Sequence, residues 1–178
     1  MYDATLAAQA QAYADTCPTE HGTAASRDNA GENLFWAASS GPSPPINYTD
    51  AVESWYSEIS DYLFPTSASG AISNGGVTGH FTQIVWKDTT QVGCGGNTGC
   101  TNKFGTGWNN NVVVCRYNPP GNWAGEYYVK VGSLASPPAT SPSSPPSPAG
   151  SCKSFCPGHA KPWSKKCGWT GCSGCADC

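Results

Sequence analysis

Charge is scarce in this sequence. Only 12% of its 178 residues are Asp, Glu, Lys or Arg, and the formal balance is −3. That excludes a nucleic-acid partner held by overall basicity, which needs an excess of cations to meet phosphates. Long apolar runs are missing too. None approaches the roughly 18 residues of a membrane-spanning helix, and the mean hydropathy is −0.38. The opening residues, Met1-Tyr2-Asp3-Ala4, have neither the basic segment nor the apolar core of a secretory leader. No Gly-rich loop of the P-loop or dinucleotide type occurs, so nothing signals a bound nucleotide.

Cysteine, by contrast, is abundant. Ten Cys alongside 15 Pro and 21 Gly in so short a chain belong in an oxidising compartment. The chain reads as a secreted, extracellular protein whose precursor carries a signal peptide. Every cysteine reads as a disulfide partner: Cys17, Cys94, Cys100 and Cys115 early, then Cys152, Cys156, Cys167, Cys172, Cys175 and Cys178. None is left over as a nucleophile.

The composition changes at Ala135. From there Pro137, Pro138, Pro142, Pro145, Pro146 and Pro148 stand among Ser, Thr and Ala, with no charge and no large apolar residue. Such a stretch buries too little to offset its ordering entropy and reads as an extended linker. The expected organisation is a domain over 1–134, a linker over 135–151 and a six-cysteine module over 152–178. Charge divides at the same place: 5 Lys+Arg face 11 Asp+Glu before residue 152, whereas 4 Lys face Asp177 after it.

Within the first domain, Leu6, Ala10, Tyr13, Ala14 and Cys17 fall on one face of a helix over 3–16. A second helix is expected over 50–62, with Asp50 and Glu53 as a capping box and Val52, Trp55, Tyr56 and Ile59 as its apolar stripe. Strands are expected at 91–94, 111–117 and 127–131. Helices first and strands afterwards predict an α+β domain with an antiparallel sheet.

Four segments then carry a resemblance. Gly79-His80-Phe81-Thr82-Gln83-Ile84-Val85-Trp86 is similar to the first signature of the CAP superfamily, the cysteine-rich secretory, venom-allergen and pathogenesis-related proteins. Val112-Val113-Val114-Cys115-Arg116-Tyr117-Asn118-Pro119-Pro120-Gly121-Asn122-Trp123 is similar to the second. Gly31-Glu32-Asn33-Leu34 and Trp55-Tyr56-Ser57-Glu58 resemble the family's two glutamate-bearing segments, in the family's order. The resemblance implies an α-β-α sandwich and a cavity tetrad of His21, Glu32, Glu58 and His80. It implies the disulfides Cys17–Cys94 and Cys100–Cys115. Family members carry a helix and a strand ahead of the segment beginning at Tyr2, so it also implies an N-terminally shortened domain.

Two imidazoles and two carboxylates in a groove can hold a divalent cation, Zn²⁺ or Mg²⁺, at His21 and His80, although no cofactor is required. They can also move protons. A hydrogen-bonded cluster that merely holds loops together is the alternative. The segment from Asp61 to Thr78 is a second candidate. Its Tyr62, Leu63 and Phe64 match a loop that binds sterols in some CAP proteins, while residue type alone favours a plug for the helix end. Asn47-Tyr48-Thr49 is an N-glycosylation sequon.

The tail is too short for a hydrophobic core and needs staples. Three disulfides are expected, joining the last three cysteines to the first three. A zinc site of Cys172, Cys175 and Cys178 with His159 or Cys167 competes. Phe155, Trp163 and Trp169 beside Lys161, Lys165 and Lys166 suit a cell-wall glycan or a membrane surface. The leading expectation is a monomeric, non-enzymatic binder of sterol or fatty acid in defence or host–environment interaction. A metal-dependent hydrolase or peptidase using the tetrad and a wall-anchored adhesive protein are the alternatives.

Overall fold

A computed structural model describes residues 1–101 and 103–132. The linker and six-cysteine expectations, with Cys152, Cys156, Cys167, Cys172, Cys175 and Cys178, lie outside the described residues.

Helix α1 (Ala4–Ala14) starts where Asp3 accepts the N–H groups of Thr5 and Leu6, both at 2.9 Å. Such a cap is worth about 1 kcal/mol. The helix buries Leu6, Ala10 and Ala14, a face of small side chains that lets the backbone come close. The sheet answers with glycine. A Cβ on Gly93 would lie 2.1 Å from the Ala7 amide nitrogen, and one on Gly95 would lie 2.4 Å from Gln11.

Three antiparallel strands form the sheet in the order β1-β3-β2: β1 (Gly31–Ser39), β2 (Gln91–Cys100) and β3 (Asn109–Asn118). Central β3 is buried on both faces. Val112 and Val114 join Ala10, Ala14 and Leu34 on the α1 side. Val113, Cys115 and Tyr117 join Ala51 and Trp55 of helix α2 (Tyr48–Ser57) on the other side. Helices therefore cover both faces of an antiparallel sheet, the expected α-β-α sandwich. Helices α3 (Gly79–Ile84) and α4 (Tyr127–Lys130) are short.

Several local expectations are corrected. The second helix begins earlier than Asp50, because Asn47 is its cap and accepts from Thr49 N at 3.0 Å and Asp50 N at 3.4 Å. Its buried face is Ala51 and Trp55, while Val52 and Tyr56 are 47% and 49% exposed. The helix ends at Ser57 and a tighter 3₁₀ turn, Glu58–Asp61, replaces its expected last turn. The segment from Tyr127 is helical rather than extended, its Lys130 and Val131 amides bonding back to Glu126 and Tyr127 at 3.0 Å each.

The disulfides are Cys17–Cys100 and Cys94–Cys115, which overturns the pairing Cys17–Cys94 and Cys100–Cys115. Sheet register is the reason. Cys94 on β2 lies directly opposite Cys115 on β3, so those two meet as cross-strand neighbours. Cys17, just beyond α1, then meets Cys100 at the far end of β2.

Candidate functional site

Glu32 occupies the second position of β1, and its side chain is fully buried. A buried carboxylate must be paired and hydrogen-bonded. One oxygen, Oε1, accepts the Gly22 N–H at 3.0 Å and pairs with His21 Nδ1 at 2.9 Å. The other, Oε2, lies 3.4 Å from Arg116 Nε. That contact is an ion pair rather than a hydrogen bond, since neither atom has a hydrogen-bond partner among the described residues. The Arg116 guanidinium also donates to Ser26 O at 3.3 Å and lies over the Tyr13 ring at 5.4 Å. Burial, then the neighbouring Glu32 and Glu20 charges, raise the Tyr13 pKa above its ordinary value.

The second pair is built differently. Glu58 stands in the 3₁₀ turn after α2 and reaches the start of α3. There the free amides of His80 and Phe81 donate to its Oε2 at 2.9 and 3.1 Å. Thr78 makes no side-chain cap, so Glu58 satisfies these two orphan donors. Its Oε1 then holds His80 Nδ1 at 2.6 Å. The His80 ring stacks on Trp55 at 6.2 Å, and the Trp55 indole donates to Leu34 O at 3.0 Å. Asn33, buried beside Glu32, donates to His80 O at 3.1 Å and to the Tyr117 hydroxyl at 3.3 Å.

All four tetrad residues thus meet as two His–Glu pairs, with the imidazole centroids 6.5 Å apart. Each Nδ1 faces a carboxylate, and each Nε2 is without a protein partner among the described residues. On the His21 side a cleft of about 440 Å³ opens, lined also by Ala24, Arg27, Asn29, Gln83 and Trp123. Glu53, on α2 and expected as part of its capping box, is exposed. Asn33, Trp55 and Arg116 lie in the segments that carried the resemblance, but the sequence assigned them no role in the site. Arg116 did carry a signal: a lone cation inside the apolar run from Val112 to Tyr117.

The sterol-loop residues separate in the structure. Tyr62 is buried, and Phe64, at φ 49°, packs edge-on to it at 4.7 Å. Both rings contact Phe81, and Tyr56 covers it from another side at 5.6 Å. Leu63 alone faces outward, 49% exposed. Burial also raises the pKa of Tyr62. The sequon residue Asn47 is exposed, and its cap uses Oδ1, leaving the Nδ2 that a glycan attaches to without a hydrogen bond among the described residues. Among the described residues no helix is long and apolar enough to cross a membrane.

Comparison with known proteins bears on the family and the fold. A family model described as "CAP: Cysteine-rich secretory protein family" matches residues 1–117. The human cysteine-rich secretory protein LCCL domain-containing 2 is 36% identical over 160 residues, covering 85% of this chain and 30% of its own length. Peptidase inhibitor 15 of Gallus gallus is likewise 36% identical over 160 residues, covering 85% of this chain and 58% of its own length. The chain therefore spans at most about three-fifths of these two relatives, 58% and 30%. The solved structure of BmVAL-1 superposes with a TM-score of 0.57 at 26% identity, covering 75% of this chain and 65% of that one. With two His–Glu pairs on an α-β-α frame and a family match across most of its described residues, this chain belongs to the cysteine-rich secretory, or CAP, protein family.

Proposed function

We propose that this chain is an extracellular binding protein that holds ligands rather than transforming them, and that its two His–Glu pairs take a divalent cation. One observation carries this reading: both imidazoles are anchored through Nδ1 by a carboxylate, each Nε2 is without a hydrogen bond among the described residues, and the ring centroids are 6.5 Å apart. A carboxylate on the far ring nitrogen fixes the tautomer and raises ligand basicity, as in many zinc sites. The fit is close. Two imidazoles sharing one tetrahedral Zn²⁺ have centroids about 5 Å apart, so the pair must close by about 1.5 Å from its 6.5 Å, and His21, with its side chain 53% exposed, has room to move. No third His, Cys, Asp or Glu joins them among the described residues, so other coordination positions fall to water or to a ligand in the cleft. The cation would act as a Lewis acid or an electrostatic anchor there.

Neither imidazole bonds a serine, threonine or cysteine among the described residues, so a covalent side-chain nucleophile is not part of this proposal. Without such a partner no nucleophile–base pair is assembled. Calorimetric titration of the full chain with Zn²⁺ tests the reading. Saturable binding that is lost in both His21→Ala and His80→Ala supports it; equal affinity in wild type and both variants refutes it.

A second reading rests on the outward Leu63 and on Val77, 65% exposed on the same segment. Beside the ring cluster of Tyr62, Phe64 and Phe81 they offer an apolar landing for a sterol or fatty acid. Saturable sterol uptake that disappears in Leu63→Ser supports this reading, and a chain that takes up neither sterol nor fatty acid eliminates it.

A further inference from the structure

Five tryptophans lie among the described residues, and four have evident structural work. Trp36 donates to Pro18 O and Trp55 to Leu34 O, each at 3.0 Å. Trp123 donates to Pro120 O at 3.2 Å. Trp86 is buried, edge-on to Tyr127 at 5.5 Å. Trp108 differs. It is 45% exposed, and among the described residues its ring has no aromatic partner and its Nε1–H no acceptor.

Trp108 stands on the loop between β2 and β3, and that loop is held at both ends. Cys100 is tied to Cys17, and Asn109 Nδ2 donates to Gly41 O at 2.7 Å. Gly105 and Gly107 adopt φ of 86° and 88°, and a Cβ on either would meet nothing within 4 Å. These two glycines therefore add no side chain of their own to the surface next to the indole. A shallow cavity of about 480 Å³ lies there, lined by Ser40, Thr101, Thr106, Trp108 and Asn109. Its size falls within the range of ligand sites, about 300–1,000 Å³.

The chemistry of this cavity is uniform: one aromatic face, three hydroxyls, one amide and no formal charge. The hydroxyls of Ser40, Thr101 and Thr106 make no hydrogen bond to any described residue. The lysine nearest in sequence, Lys103, is engaged elsewhere, over the Trp36 ring at 4.0 Å and on Thr19 O at 2.6 Å. We infer that this cavity binds a neutral oligosaccharide, one pyranose ring lying on Trp108 with its hydroxyls bonded by Ser40, Thr101, Thr106 and Asn109. A pyranose has the matching shape, an apolar C–H face with a polar edge, and an indole presents an apolar face with little conformational entropy to lose. An anionic ligand finds no cation in the lining. An acyl chain would leave the hydroxyls without partners, which is unfavourable once water is displaced. The site shares no residue with the His–Glu cleft.

The test titrates the full chain with cellohexaose, chitohexaose and laminarihexaose by calorimetry. Saturable binding of at least one sugar is expected, weakened about tenfold or more in Trp108→Ala through loss of the stacking face and largely kept in Trp108→Phe. Thr106→Val, which leaves the indole in place, should weaken the same sugar severalfold. Trp163→Ala/Trp169→Ala in the tail should leave the affinity unchanged. The inference is overturned if none of the three sugars binds, if Trp108→Ala binds like wild type, if only the tail variant loses affinity, or if a heparin hexasaccharide binds more tightly than every neutral sugar.

Discussion

Glu32 and Arg116 are register partners across β1 and β3, and they are the two charged side chains most deeply buried among the described residues. The pair explains how the site keeps an ionised carboxylate in the interior. Removing the guanidinium would strand that charge, at a cost of about 3–5 kcal/mol. Arg116→Met should therefore lower unfolding free energy by about that amount, measured by denaturant titration with the disulfides intact. Arg116→Met combined with Glu32→Gln should recover much of the loss. If the single variant is as stable as wild type, the pair is not holding the sheet.

Glu58 has two tasks that one substitution separates from the rest of the fold. Glu58→Ala should cost about 1–2 kcal/mol through the uncapped His80 and Phe81 amides. It should also weaken any Zn²⁺ binding about 10–100-fold by releasing His80 Nδ1. Glu53→Ala, on an exposed part of α2, should change neither. Melting curves and calorimetry on the two variants make the comparison.

Alkaline pH should destabilise the domain through its tyrosines. Burial raises the pKa of Tyr117 strongly above its ordinary 10.0, with the Asn33 hydrogen bond opposing it weakly. The unfolded chain then ionises first, so above pH 10 the folded state holds more protons and stability falls as pH rises. The stabilisation is complete below pH 10 and disappears towards the folded-state value. The slope approaches about 1.4 kcal/mol per pH unit for this one group. Tyr117→Phe should flatten the fall between pH 10 and 12 in denaturant titrations; an unchanged slope would remove Tyr117 as its source.

The approach of α1 to β2 should tolerate no added carbon. Gly93→Ala places a methyl 2.1 Å from the Ala7 backbone nitrogen, and no flexible side chain stands between them. A loss of about 3 kcal/mol or more is expected, at or beyond the upper end of ordinary overpacking. Gly105→Ala meets open space and should cost only the strain of its positive φ. Thermal unfolding of the two variants should differ by many degrees.

Much of this architecture was readable before any coordinates. Leu6, Ala10 and Ala14 announced α1 by spacing, and Val112-Val113-Val114 announced a strand, though not its burial on both faces. The tetrad was readable only through resemblance, because His21 and His80 are brought together by register and by a three-residue capping interaction rather than by local spacing. The start of α2 was missed because Asn47 and Asp50 are both good caps, and sequence alone could not rank them. Strand β1 was hidden by Glu32 and Asn33, polar residues that look solvated in sequence yet are buried by their partners on β3 and α3. The disulfides misled for the same reason. Cys94 and Cys115 become neighbours only once the strands are paired.

The connectivity of those two bonds has a consequence for survival among proteases. The exposed stretch around Ser67 to Gly76 lies between Cys17 and Cys100 in the chain, and a backbone cut there leaves both pieces tethered through that bridge. Neither half can drift away, because α1 remains stitched to β2 and β2 to β3. A molecule nicked in that loop would run as one band until a reductant is added, and would go on holding its two imidazoles on a single framework.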